Sequence, residues 1–416
     1  MRRQSSIFAD PAEPTDTAEP TDAASRRFLS SYRDLMDVPG FWRLAAIGMA
    51  SKLPPGMVGL SLLLLVGQDH AYGTAGLAVS ALAVGQGVTA PLRGRLIDRH
   101  APRPVLLGCL AAYLTTTLVL VLAVRGGGSV PFVLALAAAM GASAPPVAVM
   151  MRSVWHRSTD TGTLATAMAL DSSMMGTALI TGPVIAGWLS LSVSPVVPFA
   201  VVAVLTAAAV GLLVNSPGPL PCTARNGHWL GPLASAPLRR LLAADALFVM
   251  AVTAVDVVLP IHARACHAAG FTGLYLGALS VGSVLGSLAL GTVPKLLSRG
   301  PKVSVLLCVF ATGTGALTAA TGMSPLAVLV VCPLAGLVIG CTFATLRTTG
   351  GDLAPEGRVT ETMSWLSSLD MVGGAVGAAV FAHIAAAEGS RTALLLVPAV
   401  ALLAAAIGWN TRTRQP

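Results

Sequence analysis

The sequence predicts an all-α membrane protein of about twelve transmembrane helices arranged in two repeated, pseudo-symmetric halves of six, and three observations carry that reading. Hydrophobic residues make up 54% of the 416 and charged residues 11%, with a mean hydropathy of +0.76, so lipid rather than water must solvate most of the chain. The basic residues crowd one alternating set of loops. A run of residues also recurs at a constant offset of 197, from Gly73 to Gly270 onward.

A hydrocarbon core about 30 Å thick needs about 20 apolar residues per helix, which leaves room for about twelve spans. The unbroken apolar runs at 60–66, 201–214 and 393–407 lack the alternation of a transmembrane barrel strand. Ahead of the spans, residues 10–22 hold a near-repeat of Ala-Glu-Pro-Thr-Asp that is acidic and Pro-rich, and this tail is expected to be disordered. Phe28, Leu29, Tyr32, Leu35 and Met36 then share a helical face flanked by Arg26, Arg27, Arg33 and Asp34, which predicts an interfacial helix at the inner leaflet. Residues 1–27 have no apolar segment of the signal-peptide kind, so the first hydrophobic helix is expected to direct insertion.

The spans are expected at 41–66, 73–91, 104–124, 131–151, 163–189, 195–214, 238–261, 271–293, 303–321, 325–346, 359–385 and 390–409. This divides the chain into a tail and interfacial helix at 1–40, a first bundle at 41–214, a central cytoplasmic loop at 215–237, and a second bundle with a short tail at 238–416. With the chain starting inside, about 22 basic residues fall in the tails and odd loops, whereas only Arg125, Arg264 and Arg391 fall in the even ones and Lys52 sits inside a helix. Both termini are therefore expected in the cytoplasm, with the protein in the inner (plasma) membrane as a monomer.

The same distribution accounts for the net charge of +8 without nucleic acid. Lysine is confined to Lys52, Lys295 and Lys302 and never follows a glycine, so no phosphate-cradling loop is present and an energy source other than ATP is implied. Six cysteines without CxxC spacing read as small core residues, and no metal or other cofactor is expected. No HExxH or GxSxG supplies enzyme chemistry.

The repeat aligns Gly73, Gly76, Leu77, Ala81, Leu82, Val84, Gly85 and Gly94 with Gly270, Gly273, Leu274, Ala278, Leu279, Val281, Gly282 and Gly291. The second copy reaches Lys295, Arg299, Pro301 and Lys302 where the first has its own basic block. A duplicated bundle with parallel halves builds a central cavity.

That first basic block, residues 94–104, reads as a cytoplasmic hinge loop, because Arg93, Arg95, Arg99 and Arg103 would each cost about 3 kcal/mol or more at the bilayer centre. Its Gly94, Leu96, Asp98, Arg99, Arg103 and Leu106 resemble the signature loop between helices 2 and 3 of major facilitator superfamily transporters, with Ala101 where the pattern has a second glycine and Pro102 where it has a further basic residue. The resemblance implies a twelve-helix major facilitator fold in which Asp98 closes an inner gate against the start of the eleventh helix, near Val359. It also implies that Arg152, at the inner end of the fourth span, joins that network. Thr360 or Glu361 is placed to cap that helix, and Glu361 alternatively pairs with a loop arginine. Gly176, Gly182, Pro183 and Gly187 in the fifth span resemble the glycine-proline motif of the superfamily's drug and proton antiporters, with Ala186 at one glycine place.

Lys52, Asp171, Asp256 and Asp370 are ionisable residues inside the expected spans, where each must face a partner, a cavity or water. Resemblance places Lys52 and Asp256 on helices that line the cavity, and the run Lys52-Leu53-Pro54-Pro55-Gly56 predicts a helix break there. Burial favours a neutral carboxyl, whereas water or a cation favours the charged form, so alternating access can load and unload a proton. Asp256 and Asp370, then Asp171, are the candidate proton carriers, each alternatively a static partner of Lys52 or Arg152.

The expected function is proton-coupled efflux of small amphipathic compounds such as drugs or secondary metabolites, a basis for antibiotic resistance, with Met140, Met150, Met151, Met174 and Met175 near an adaptable cavity. The alternatives are a proton-coupled importer of a sugar or other metabolite, which the scarcity of Asn and Gln in the spans disfavours, and a non-transporting membrane receptor or intramembrane enzyme.

Overall fold

The computed structural model describes residues 32–69, 72–159, 161–215, 231–290 and 302–409. Within them the chain is nearly all helix, and twelve helical stretches are long and apolar enough to cross a membrane. The helices are α1 Phe41–Asp69, α2 Tyr72–Arg99, α3 Pro102–Arg125, α4 Val130–Ser143, α5 Val147–Ser158, α6 Thr161–Ser192, α7 Val197–Val214, α8 Ala236–Ala265, α9 Thr272–Leu290, α10 Lys302–Thr321, α11 Pro325–Asp352, α12 Val359–Ala387 and α13 Ser390–Gly408. Together α4 and α5 make the fourth span.

Buried apolar side chains gather by sequence half. One cluster draws on residues 238–405 with Val149, and two smaller ones lie between residues 35 and 213. Exposed leucines and valines such as Leu118, Val204, Val330 and Leu395 form the outer wall that lipid would cover.

Glycines set how closely helices approach. A Cβ on Gly85 would run into the backbone of Ala138 on α4, and one on its repeat partner Gly282 into that of Pro333 on α11, so the second and fourth helices of each half meet backbone to backbone. Gly286 and Gly340 extend the second contact, whereas a Cβ on Gly277, also on α9, meets open space. Gly286→Leu is therefore expected to lower the melting temperature of the solubilised protein by several degrees or lose the folded peak in size-exclusion chromatography, a cost of about 1–3 kcal/mol or more from overpacking. Gly277→Leu should melt like the parent.

The structure corrects the expected boundaries in four places. The block at 94–104 is not a loop throughout: α2 runs past Pro91 to Arg99, leaving only His100 and Ala101 before α3. Lys52 to Gly56 does not break α1: proline is tolerated in a membrane helix whose neighbours support it, and Gly56 is held so tightly on α6 that an added Cβ would lie 2.6 Å from the Ala178 carbonyl. The break falls instead at Ala144-Pro145-Pro146, inside the expected fourth span, where Ala144 turns extended (ψ 124°) ahead of proline. Finally, α11 continues beyond residue 346 to Asp352, which brings Arg347 inside a helix.

Of the expected interfacial helix, residues 32–36 are described and helical. Leu35 is buried against the protein, and the Tyr32 hydroxyl donates to the Leu288 carbonyl at 2.9 Å. Burial holds that phenol above its ordinary pKa, so it remains a neutral donor. The acidic tail at 10–22, most of the central loop and the basic run from Lys295 to Pro301 lie outside the described residues. Cys332 and Cys341 are buried as expected of core residues, but Cys266 is exposed.

Candidate functional site

The two halves meet at the end of the bundle that carries the arginines. There Asp98, buried at the end of α2, accepts a hydrogen bond from the backbone N–H of Glu361 at 2.6 Å. A carboxylate on an open N–H in the first turn of α12 both caps the helix and complements its positive end. Around this bond, Glu361 lies 3.3 Å from the guanidinium of Arg358 and 3.8 Å from that of Arg95. Gly94 lets α2 press on α12, since a Cβ there would lie 2.7 Å from that of Ser364. Arg99 and Arg103, at the end of α2 and the start of α3, are exposed.

Further bonds extend the seam toward mid-membrane. Ser153 and Thr360 hydroxyls are 3.0 Å apart, the Ser368 hydroxyl donates to the Gly87 carbonyl at 2.6 Å, and the Ser173 and Ser287 hydroxyls of α6 and α9 are 2.6 Å apart. No comparable packing joins α1 to α8. The halves are thus closed at the basic end.

Beyond this seam, each half holds a charge triad. In the first, Asp171 on α6 accepts from the Lys52 ammonium at 2.5 Å through one oxygen and from Arg152 Nε at 3.1 Å through the other. Arg152 also reaches Ser367 on α12, 3.5 Å away. In the second, Arg347 donates from one nitrogen to both oxygens of Asp370, at 2.8 and 2.6 Å, and from the other to Asp245 Oδ2 at 3.2 Å, with its guanidinium 5.7 Å from the Phe343 ring centre. Asp245 is fully buried and its Oδ1 has no hydrogen-bond donor among the described residues.

The triads are themselves a duplication. Arg152 and Arg347 stand at the basic ends of the fourth and tenth spans, and Asp171 and Asp370 in the fifth and eleventh, each pair within two residues of the repeat offset. The third member differs. It is Lys52 on the first helix of one half and, a helical turn from the matching place, Asp245 on the first helix of the other. With every group ionised, the first triad carries a surplus positive charge and the second a surplus negative one.

Between them lies a cavity of about 180 Å³ walled by α1, α2, the α4–α5 break and α12, with Lys52, Gln86, Arg93, Arg152, Ser367 and Asp370 among its polar lining and Leu82, Tyr113, Met175 and Met371 among its apolar lining. The structure brings Lys52, Asp171, Arg152 and Asp370 to this centre and Asp98 to Glu361, but leaves Asp256 exposed on α8 and outside both triads. Of the five methionines expected near the cavity, Met175 lines it, whereas Met140, Met150 and Met151 are core and Met174 faces Gly48. Gly182 packs on Gly56 of α1, Gly187 faces Leu60, Gly176 faces Val284 of the other half, and Pro183 sits within an uninterrupted α6. Among the described residues no cluster of three or more His, Cys, Asp or Glu could hold a metal ion.

Sequence reasoning missed Asp245, which lies within the expected span at 238–261, and Arg347, one residue beyond the expected span at 325–346; an acid inside one apolar helix and a base at the edge of another was the available signal.

The sequence profile described as Major Facilitator Superfamily matches residues 44–378. Solved structures share the fold at low identity. A bacterial homologue of the iron transporter ferroportin in its outward-facing state is 16% identical with a TM-score of 0.73, covering 94% of this chain and 100% of that one. The human organic anion transporter MFSD10 (TETRAN) is 16% identical with a TM-score of 0.70, over 92% and 99% of the two chains. FucP in the outward conformation is 16% identical with a TM-score of 0.68, over 89% and 99%. No curated protein matches the sequence significantly.

Proposed function

Since the chain belongs to the major facilitator superfamily, we propose that it is a proton-coupled secondary transporter that expels small amphipathic compounds by alternating access. The observation that carries this reading is the second triad: one buried arginine between a buried acid, Asp245, and a partly exposed one, Asp370, which alone of the two reaches the cavity. With all three ionised the site holds one uncompensated negative charge, and a single proton neutralises it. The first triad has the opposite imbalance, so Asp171, already shared by two cations, is the poorer proton carrier. Asp370 is then the entry point and Asp245 the buried partner.

Coupling runs along α12. Asp370 and the N–H that Asp98 caps lie nine residues apart on this one helix, about 13 Å at 1.5 Å per residue. A proton on the acid pair loosens the hold of Arg347 on α12, and the same helix carries the gate seam, so proton loading biases whether the basic end stays shut. The basic-end-closed arrangement corresponds to the facing named for the ferroportin homologue and for FucP. The arginine asymmetry supports an inner or plasma membrane with both termini in the cytoplasm. A lining that sets Leu82, Met175 and Met371 beside charged groups, with Gln86 as its one amide, suits amphipathic compounds better than a sugar. The glycine-proline run on α6 supports the antiporter subgroup.

The test uses purified protein in proteoliposomes containing a pH-sensitive dye. Adding a transported compound outside should make the lumen more alkaline, as protons leave in exchange; acidification would identify symport and reverse the proposed direction. Asp370→Asn is expected to abolish the proton signal, about tenfold or more, while leaving substrate exchange without a gradient.

A further inference from the structure

The charge on the cavity wall points to the substrate's own charge. Resting on the transporter reading above, we propose that the transported compound is an organic anion, a carboxylate on a compact apolar body. Four charged side chains line the cavity: Lys52, Arg93, Arg152 and Asp370. The acid is already held by both of its oxygens on Arg347. Lys52 and Arg152 have one carboxylate, Asp171, between them.

Arg93 is the decisive residue. It is 7% exposed, and its guanidinium donates to the backbone carbonyls of Gln86, Thr89 and Ala144, with no carboxylate in ion-pair range among the described residues. Its bond to Ala144 steadies the α4–α5 break, and carbonyl dipoles leave its full charge facing the hollow. The positive surplus of the first triad and the negative surplus of the second offset each other, so Arg93 leaves one surplus positive charge around the cavity. A cationic compound meets repulsion there and a neutral one leaves the surplus unpaired, whereas a carboxylate compensates it through charge-assisted hydrogen bonds. Leu82, Tyr113, Met175 and Met371 supply the apolar contact for the rest of the molecule. The comparison of the two halves agrees, because where they differ, at Lys52 against Asp245, the positive member belongs to the half that forms most of the cavity.

The experiment compares three headgroups, carboxylate, primary amide and primary amine, on the same bodies from butylphenyl to naphthyl, by calorimetric binding to the purified full chain and by transport in proteoliposomes. The expected result is that carboxylates bind about tenfold or more tighter than the matched amides and amines, and that Lys52→Gln and Arg93→Gln each cut this preference about fivefold. The parent's ranking decides the matter if either variant fails to fold. Amides or amines binding as tightly as carboxylates, or no member binding, would overturn the proposal. Selective carboxylate binding that moves no protons would support the anion site and sink the coupling reading; proton-linked transport of amines alone would do the reverse.

Discussion

Arg347→Gln is expected to be the most damaging single substitution in the molecule. Its guanidinium is the cation shared by Asp245 and Asp370, and the side chain is 3% exposed. Removing one partner of a buried ion pair costs about 3–5 kcal/mol, because the charge left behind has neither water nor a partner. Here Asp245 is left fully buried, with Asp370 a quarter exposed at the cavity beside it. The detergent-solubilised variant should therefore show a melting point lowered by well over five degrees, or no folded peak. The triple variant Arg347→Gln, Asp245→Asn, Asp370→Asn removes the stranded charges and should recover more than half of the lost stability without recovering proton movement. A parent-like melt for Arg347→Gln alone would mean that the triad is not a buried electrostatic unit.

The second large effect is expected at the gate. Asp98→Ala removes a charged acceptor from the N-terminal turn of α12, and a cap of this kind is worth about 1–2 kcal/mol. Since 1.4 kcal/mol is a factor of ten in an equilibrium, the closed-gate state should become about tenfold less populated and gradient-driven transport should fall by a similar factor. Arg103→Ala, at an exposed position beside the same gate, should change the rate by less than twofold. Equal losses in both variants would argue for a general effect of surface charge on this face rather than for the cap.

Helix number, order and duplication were legible in the sequence because burial in lipid leaves few alternatives to a long apolar helix, and because Gly85 and Gly282 keep both spacing and job. The contact of Asp98 with α12 was legible through the resemblance of residues 94–106 to the superfamily's signature loop, and its physical basis is a carboxylate meeting an open N–H in the first turn of a helix. The charge centre was legible only in part. Lys52 and Asp171 stand out inside apolar runs, whereas Arg347 falls one residue beyond the expected span at 325–346 and Asp245, inside the expected span at 238–261, shows its role only once Arg347 is seen to reach it from α11. Asp256 stands out in sequence for the same reason as Asp171, yet helical phase sets it apart from both triads. The double prolines show the limit most clearly. Pro54-Pro55 and Pro145-Pro146 look alike in sequence; the first pair is held in helix by the contact of Gly56 with α6, and the second breaks where Arg93 takes the freed Ala144 carbonyl.

The central claim is that two halves rock about a cavity, with Asp98 on α12 holding the basic end shut. It is tested most directly by electron–electron distance measurements between spin labels at Ser129 and Met323, exposed positions in the matching turns at the opposite end of each half, in a chain relieved of its six native cysteines. The parent should show a predominant long distance, and Asp98→Ala should transfer a large share of it to a distinctly shorter one as the gate opens and the far end closes. A single distribution, identical in the parent and in Asp98→Ala and unmoved by substrate or pH, would contradict it.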